Sequence, residues 1–482
     1  MKEIGMLLDG ASAPSASGAS FDRIDPVTGA VATRAAAAGR DDVEAVVASA
    51  ARAFPGWSAT GPNGRRKILS KAADVMEARA DDFVQAMITE TGATGPWAGF
   101  NVHLAAGMIR EAAAMTTQIG GEIIPSDKPG TMAMGVARAK GVCLGIAPWN
   151  APVILGTRAV AMALACGNTV VLKASEMCPA THRLIGECFA EAGLPEGALN
   201  VVTNAPEDAA DVVEALIAHP AVKHVNFTGS SAVGRIIGRL AGEHLKPSLL
   251  ELGGKAPLIV LDDADLDGAV NAAIFGAFMN QGQICMSTER IIVDEKVADA
   301  FVEKLAARAS ALPAGDPRGD VALGALVSEA AAEKMDALIA DATGKGAKLV
   351  AGGSREGTIV AATLLDGVSE GMRIYAEESF RPVKSIIRVK GDEEALKVAN
   401  DTEYGLSSAI FSADVSRAMA LANRLETGIC HINGPTVGDE PQMPFGGVKA
   451  SGYGRFGGRA AIAEFTDLRW ITVEDPKQHY PI

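Results

Sequence analysis

The 482-residue sequence is poor in aromatic residues and in positive charge. Aromatic side chains make up 5% of the chain, and 58 acidic residues outnumber 44 Lys and Arg, for a formal charge of −14. Acidic chains bind nucleic acid and anionic membrane surfaces poorly, because like charges repel. We therefore expect neither nucleic acid nor membrane as a partner.

Long apolar runs are missing as well. The longest candidate, 159–172, is interrupted by Cys166-Gly167-Asn168-Thr169 and falls short of the ~18 residues of a membrane span. The apolar stretch near the N-terminus is short and contains Asp9, which does not fit a signal peptide. We expect a cytoplasmic protein.

Cysteine is sparse, and its spacing excludes two kinds of site. There is no CxxC pair and no His-linked zinc spacing, so we expect no disulfide scaffold and no metal. Most of these thiols are expected to be buried and inert. The six cysteines are Cys143, Cys166, Cys178, Cys188, Cys285 and Cys430.

The patterns that are present indicate an α/β protein with two or three domains. Helical periodicity dominates 41–119, and helices alternate with buried strands from 150 to about 260, which is typical of a parallel, doubly wound sheet. A second α/β region follows to about 447. Two β segments do not fit this alternation: Thr131–Ile146, which reads as two short strands in a hairpin-like unit, and Leu468–Glu474. We expect them to pair with each other or across a subunit boundary.

Several polar and glycine-rich motifs follow predicted strands. Phe227–Gly234 is either a phosphate-binding turn at a helix start or an ordinary turn. Lys173-Ala174-Ser175-Glu176 ends a strand, where its charges either hold ribose hydroxyls or pair with each other in solvent.

Three further motifs carry residues suited to catalysis. Cys285 ends QGQIC beside Gly and Gln, as an accessible nucleophile or as an inert thiol. Glu251 ends an apolar strand, where burial suits it to be a general base, although a salt-bridged strand end fits equally. Asn150 precedes a helix, where its amide either binds an oxyanion or caps the helix.

In this order and spacing the motifs resemble those of the NAD(P)-dependent aldehyde dehydrogenase superfamily. Glu251 and Cys285 are 34 positions apart, which matches the family's base-to-nucleophile spacing. The matching motifs span about 300 residues of the chain. They are PWN at 148–150, KASE at 173–176, FTGSSAVG at 227–234, ELGGK at 251–255, QGQIC at 281–285, EESF at 377–380 and PFGGVKASGYGR at 444–455.

The resemblance implies the aldehyde dehydrogenase fold: a Rossmann-like cofactor domain, an α/β catalytic domain and a small β oligomerisation extension. The implied boundaries are 1–122 and 146–252 for the NAD-binding domain and 253–450 for the catalytic domain. Residues 123–145 and 451–482 then form the oligomerisation segment. A homodimer or homotetramer follows by the same resemblance.

The resemblance also implies the chemistry. Cys285 is then the nucleophile that attacks the aldehyde, while Asn150 and the Cys285 backbone N–H hold the oxyanion. Hydride passes to the nicotinamide, and Glu251 activates the water that hydrolyses the resulting thioester.

The implied cofactor is NAD, with NADP less favoured because Glu176 repels a 2′-phosphate. Lys173 and Glu176 match the adenosine-ribose contacts, and Glu378 and Phe380 match those at the nicotinamide. The remaining implied cofactor-binding residues are Trp149, Ser175, Gly229, Ser230, Gly234 and Leu252.

One position departs from the family pattern. Arg381 stands where the family has Gly in EExFGPV. We expect either a strained loop at Glu378 and Phe380, if that Gly serves backbone freedom, or a side chain that points into solvent.

The implied substrate pocket resembles that of bacterial salicylaldehyde and vanillin dehydrogenases. Ala151 replaces an aromatic residue common in the family and widens the tunnel near Cys285. Arg158 offers donors to a phenol oxygen, methoxy or carboxylate, and Trp97 offers a flat apolar wall. Ile284 and Met286 flank the nucleophile and complete the expected pocket.

The favoured prediction is NAD-dependent oxidation of a hydroxylated benzaldehyde, a small aromatic aldehyde, to the carboxylic acid. The alternative is a semialdehyde dehydrogenase of the succinate semialdehyde type, with Arg158 binding the substrate carboxylate. Glu251 argues against a CoA-acylating enzyme, and Glu251 with Cys285 against a non-catalytic protein on this fold. A zinc alcohol dehydrogenase is disfavoured because metal-ligand spacing is missing.

Overall fold

A computed structural model describes residues 1–477, 480 and 482. Three residues of the predicted oligomerisation segment 451–482, at positions 478, 479 and 481, therefore lie outside the described residues.

The strands in the described part of the chain are short, and most belong to three sheets. In chain order they are β1 (Lys2–Ile4), β2 (Met6–Leu8), β3 (Ala11–Ala13), β4 (Ser20–Ile24), β5 (Val31–Ala36), β6 (Gly121–Ile124), β7 (Met132–Ala139), β8 (Val142–Ile146), β9 (Thr169–Lys173), β10 (Leu199–Val202), β11 (Val222–Thr228), β12 (Ser248–Glu251), β13 (Pro257–Val260), β14 (Arg290–Asp294), β15 (Lys348–Ala351), β16 (Arg355–Glu356), β17 (Ile359–Val360), β18 (Thr363–Asp366), β19 (Val383–Val389), β20 (Ser407–Phe411), β21 (Ile429–Ile432), β22 (Gly452–Tyr453) and β23 (Thr466–Val473).

The helices fill the connections between strands. They are α1 (Arg40–Ala59), α2 (Pro62–Ala78), α3 (Ala80–Thr91), α4 (Gly95–Met115), α5 (Pro152–Ala165), α6 (Pro179–Glu191), α7 (Ala209–Ala218), α8 (Ser231–Glu243), α9 (Leu266–Phe278), α10 (Glu295–Ser310), α11 (Glu329–Gly344), α12 (Arg373–Ala376), α13 (Gly391–Asn400), α14 (Val415–Ala422) and α15 (Gly458–Phe465).

The first sheet has the doubly wound topology that the sequence predicts. Its order is β22-β12-β11-β8-β9-β10-β2-β3, and the five central strands from β12 to β10 run parallel. The chain builds β8, β9 and β10 to one side and then returns to place β11 and β12 on the other. Strands β8 to β10 are buried on both faces, as such sheets require.

The second sheet carries the other half of the molecule. Its order is β15-β18-β19-β14-β13-β20-β21, with all neighbours parallel except β15 and β18. The link from β12 to β13 contains only 252–256, so the two sheets are joined by a few residues that begin at Glu251.

A third, small sheet has the order β23-β7-β6. Strand β23 pairs antiparallel with β7 from Thr466–Ala139 to Val473–Met132, which confirms that the two unplaced β segments pair within one chain. Exposed apolar side chains lie on this sheet, among them Ile123, Leu468 and Trp470.

The predicted hairpin in Thr131–Ile146 is wrong. Strand β7 joins the third sheet, whereas β8 lies between β11 and β9 in the first. The two strands separate at Lys140 and Gly141, whose N–H groups both donate to the Asn168 side chain, at 2.7 and 3.1 Å. Strand β8 is buried on both faces, so burial draws it into the larger sheet.

The domain boundaries stay a prediction, but two strands lie across them. Strand β8 begins at Val142, inside the range 123–145 expected for the extension, and β22 pairs with β12 of the first sheet although it lies beyond 450. Among the described residues, no helix is long and apolar enough to cross a membrane.

Candidate active site

The predicted motifs converge at one edge of the first sheet. Parallel strands end at the same edge, and the topology reverses between β8 and β11, where open α/β sheets bind their ligands. Pro148–Asn150 follows β8, Gly229 and Ser230 follow β11, and Glu251 ends β12.

A cavity of about 340 Å³ opens at this edge. It contains the predicted nucleophile, base and oxyanion donor together with six of the predicted cofactor-binding residues. The nine predicted residues in its lining are Trp149, Asn150, Gly229, Ser230, Glu251, Leu252, Cys285, Glu378 and Phe380.

Cys285 is held by a strained turn after α9. Asn280 and Gln281 have φ of 49° and 55°, which non-glycine residues rarely adopt, and Gly282 has φ of 69°. A side chain at Gly282 would meet the Arg381 carbonyl oxygen at 2.5 Å, so only glycine fits. This turn presents Cys285 to the cavity. Burial raises the pKa of its thiol well above the ordinary value.

Glu251 faces the same cavity as a buried carboxyl. It is 1% exposed, and neither oxygen has a hydrogen-bond partner among the described residues. Burial raises its pKa to about 8, although the positive charge of Arg158 opposes this shift. A carboxyl with this pKa can gain and lose a proton near neutral pH, as a general base must.

Asn150 is fixed on three sides. Its side-chain amide donates to the Gln283 carbonyl at 3.0 Å, and its own carbonyl accepts from Asn280 Nδ2 at 2.8 Å and Trp97 Nε1 at 3.2 Å. The second N–H of the amide is left for an oxyanion. Gln283 and Asn280 come from the turn before Cys285, so nucleophile and amide are positioned together.

Glu378 and Phe380 lie on a loop anchored to the opposite wall. Glu378 accepts from the Gly254 N–H at 2.8 Å, and burial raises its pKa to about 7. Phe380 has φ of 51°, and its ring meets Trp149 edge to face with centroids 5.8 Å apart.

Glu289, which the sequence did not indicate, anchors the loop that carries Glu378 and Phe380 through a hydrogen bond with Ser379. This buried carboxylate accepts from Lys255 at 2.7 Å and Lys384 at 2.8 Å, and from the Ser379 N–H at 2.9 Å. The two ammonium groups hold the pKa of Glu289 at about 2, against the effect of burial. Its place in QGQICMSTER, directly before a predicted strand, gave no sign of these long-range contacts.

The turn after β11 fits a dinucleotide phosphate. Ser230 caps α8, with its hydroxyl accepting from the Val233 N–H at 3.3 Å, so further backbone N–H groups of this helix start face the cavity edge. Helix α8 packs closely against Leu252 because Gly234 has no side chain; a Cβ at this position would collide with Leu252.

Lys173, Ser175 and Glu176 lie at the end of the neighbouring strand β9, outside the main cavity. Lys173 pairs with Glu176, whose carboxylate also accepts from Asn204 Nδ2 at 3.0 Å. Ser175 donates its N–H to His182 Nδ1 at 3.0 Å, which orders the loop. The dipole at the start of α8, the glycines at 229 and 234 and the Glu176 carboxylate together match what a nicotinamide dinucleotide needs at this edge of the sheet.

The predicted substrate residues lie next to the catalytic candidates but do not line the cavity itself. Trp97, Ala151, Ile284 and Met286 are all buried and belong to one hydrophobic cluster, against which Cys285 packs. Arg158 is the charged exception among them. Its guanidinium pairs with Asp439 and lies 4.2 Å from the ring centre of Phe445.

Comparison with known proteins agrees with this geometry. The sequence profile described as "Aldehyde dehydrogenase family" matches residues 13–471. The chain belongs to the aldehyde dehydrogenase family. Family membership confirms the predicted fold and the predicted enzyme class, and it implies a nicotinamide dinucleotide as cofactor.

Individual relatives are similar over the whole chain. A vanillin dehydrogenase of Pseudomonas fluorescens is 61% identical, with 100% of both chains covered. A salicylaldehyde dehydrogenase of Pseudomonas putida is 51% identical, with 96% of both covered. The crystal structure of a salicylaldehyde dehydrogenase from Pseudomonas putida G7, complexed with salicylaldehyde, superposes with a TM-score of 0.98 at 48% identity, with 100% of both chains covered.

Both expectations for Arg381 are wrong. The left-handed backbone falls on Phe380 rather than on Arg381, so the missing glycine causes no strain there. The side chain does not point into solvent either: its guanidinium donates to the carbonyl groups of Ser379 and Ala331. Arg381 therefore ties the Phe380 loop to the start of α11.

We predict that Glu251→Gln lowers steady-state turnover by about 10²–10⁴-fold, because the neutral amide cannot accept a proton from water. Wild-type turnover should rise with pH through about 8, where the Glu251 carboxyl ionises, and level off above it. Initial rates from pH 6 to 10 measure both effects. Glu243→Gln, which removes an exposed carboxylate, serves as control. Turnover within twofold of wild type in the Glu251 variant would contradict the assignment.

Proposed function

We propose that this chain oxidises hydroxylated benzaldehydes to the corresponding benzoates with NAD. The observation that carries the proposal is the apolar cluster packed against Cys285, in which Trp97 is a large aromatic member and Ala151, next to Asn150, is a small one. The similarity to vanillin and salicylaldehyde dehydrogenases supports the same substrate class.

In the proposed reaction, Cys285 adds to the carbonyl carbon. Because burial raises the pKa of the thiol, the proton must pass to a base, and Glu251 in the same cavity can accept it. The new carbon–sulfur bond leaves negative charge on the carbonyl oxygen. The free N–H of Asn150 and the Cys285 backbone N–H stabilise this oxyanion.

A bound nicotinamide dinucleotide supplies the two-electron oxidation that turns the thiohemiacetal on Cys285 into a thioester. After Glu251 has released the thiol proton to solvent, it takes a proton from water, and the resulting hydroxide attacks the thioester carbon. The carbon–sulfur bond breaks, the acid leaves, and the Cys285 thiolate takes up a proton to restore the thiol. In sum, aldehyde, NAD⁺ and water give carboxylate, NADH and two protons.

The semialdehyde alternative needs Arg158 free to bind a carboxylate. Asp439 already pairs with this guanidinium, and both side chains are buried. A substrate carboxylate would have to displace Asp439 or share the cation with it, and leaving a buried charge unpaired is costly. The pair therefore favours an uncharged ring substituent.

The first test is NADH formation with salicylaldehyde, vanillin, benzaldehyde, succinate semialdehyde and hexanal. We expect kcat/KM for the aromatic aldehydes to exceed that for hexanal, because a flat ring gains more contact with the apolar cluster beside Cys285 than a flexible chain does. Cys285→Ala should be inactive with all five. If hexanal reacts much faster than any benzaldehyde, the aromatic proposal fails; if succinate semialdehyde is preferred, the alternative replaces it.

NAD is the proposed cofactor because Glu176 carries a negative charge at the ribose end. We predict that Glu176→Gln increases the ratio of NADP to NAD activity by about tenfold, since like-charge repulsion of a 2′-phosphate is removed. The ratio of kcat/KM values measures it. Glu196→Gln removes an exposed charge beyond the opposite edge of the sheet and should leave the ratio unchanged. An unchanged ratio in the Glu176 variant would refute this basis for NAD preference.

We further propose a homodimer or homotetramer assembled through the third sheet. Leu468 and Trp470 are 70% and 78% exposed and point to the same face of β23, an arrangement typical of contact surfaces. We predict that Trp470→Glu reduces the mass measured by light scattering after gel filtration. Leu349→Glu, at an exposed site in the second sheet, should not. A wild-type monomer would rule the proposal out.

A further inference from the structure

Arg158 and Asp439 form an isolated charged pair in an apolar part of the site. Their side chains are 6% and 9% exposed. The guanidinium lies 4.2 Å from the ring centre of Phe445 and 5.7 Å from that of Phe456. Two aromatic faces and one carboxylate thus fix the orientation of the cation.

The pair leaves one acceptor unused. Arg158 Nη2 donates to Asp439 Oδ2, while Asp439 Oδ1 is buried with no hydrogen-bond partner among the described residues. A buried carboxylate oxygen without a donor is costly, and such atoms are rare in folded proteins. This oxygen is therefore suited to a donor that arrives with a ligand.

The position of Asp439 indicates which ligand that is. Asp439 lines a cavity of about 360 Å³ with Ile429, His431 and Phe445, and Ile429 packs against the same hydrophobic cluster as Cys285. His431 Nε2, in this cavity, is a second buried atom without a partner. Arg158 lies three residues after Leu155 on one face of α5, and Leu155 lines the cavity that contains Cys285 and Glu251, so the pair lies beside the catalytic centre.

We propose that Asp439 determines substrate specificity by accepting a hydrogen bond at Oδ1 from a ring hydroxyl of the aromatic aldehyde. This role rests on the proposed function: within that function, Asp439 is the group that recognises the ring substituent. Arg158 then acts mainly through Asp439: it holds the carboxylate in place and balances its charge.

The same geometry discriminates against charged substrates. The pair is neutral overall, so a hydroxyl donor can be satisfied without adding charge to a buried site. A ring carboxylate would place a negative charge beside Asp439 Oδ1 with no proton between them. Sites that present a buried polar group select strongly for the ligand that satisfies it.

The experiment compares Asp439→Asn with wild type on matched aldehydes. The substrates are benzaldehyde, its three monohydroxy isomers and their methyl ethers, each with saturating NAD. For the isomer that wild type prefers, we expect the ratio of its kcat/KM to that of benzaldehyde to fall at least about tenfold in the variant, as for a lost hydrogen bond to a charged group. Because the ratio is taken within each variant, a loss that both substrates share cancels.

Glu426→Gln is the control, because it removes an exposed carboxylate that lies outside both cavities. It should keep the wild-type ratio. Equal losses with hydroxylated and unsubstituted substrates in Asp439→Asn would overturn the inference, since they would mean that Asp439 only supports Arg158. If wild type prefers hexanal to every benzaldehyde, the proposed function itself fails, whatever the variant does.

A second measurement needs no variant and keeps the inference testable if Asp439→Asn does not fold. Methylation removes the donor but keeps the oxygen, so at one ring position wild type should prefer the hydroxyl to its methyl ether by about tenfold. Equal kcat/KM values for hydroxyl and ether at all three positions would overturn the inference.

Discussion

The close approach between the 252–256 link and the backbone of Cys285 is the constraint on which the site depends. A side chain at Gly254 would collide with the Cys285 carbonyl oxygen, so only glycine allows the two segments to touch. The link joins the first sheet to the second, and through it the carboxyl of Glu251 reaches a thiol carried by the other half of the molecule. Backbone packing therefore brings the carboxyl and the thiol into one cavity.

The same link organises the cofactor side. The Gly254 N–H donates to Glu378, and Lys255 donates to Glu289. The Glu289 carboxylate also accepts from Lys384 and from the Ser379 N–H. This ion cluster is fully buried, and loss of one member of such a cluster costs about 3–5 kcal/mol because the partners stay charged. The loop that carries Phe380 in a left-handed conformation thus rests on a rigid base. The candidate catalytic and cofactor-binding groups are both positioned by the same link, so a substitution at Gly254 or Lys255 would displace both.

The sequence predicted most of the helices and the central strands of the first sheet, because buried strands and amphipathic helices leave local patterns that need no partner to be recognised; it missed the five short strands β1 to β5. Pairing was harder: β7 and β8 are adjacent in the chain and both look like strands, but burial of β8 on both faces decides that they separate. The catalytic residues were found through ordered motifs. Asp439 was not found, because its proposed role depends on an ion pair with Arg158, which is 281 positions away, and no local pattern indicates that pair. Arg381 was misjudged for the same reason, since its partner Ala331 lies on a distant helix.

The most direct test of the central claim is intact-protein mass spectrometry of Glu251→Gln mixed with NAD and a hydroxybenzaldehyde, then quenched in acid. If Cys285 forms the thioester and Glu251 drives its hydrolysis, the variant should acylate more slowly than wild type, because Glu251 no longer takes the thiol proton. On long incubation it should still accumulate one acyl group, and peptide mapping should locate it on Cys285. Wild type under the same conditions should carry far less. An acyl group on another cysteine, or full NADH formation with no adduct at any quench time, would contradict the account.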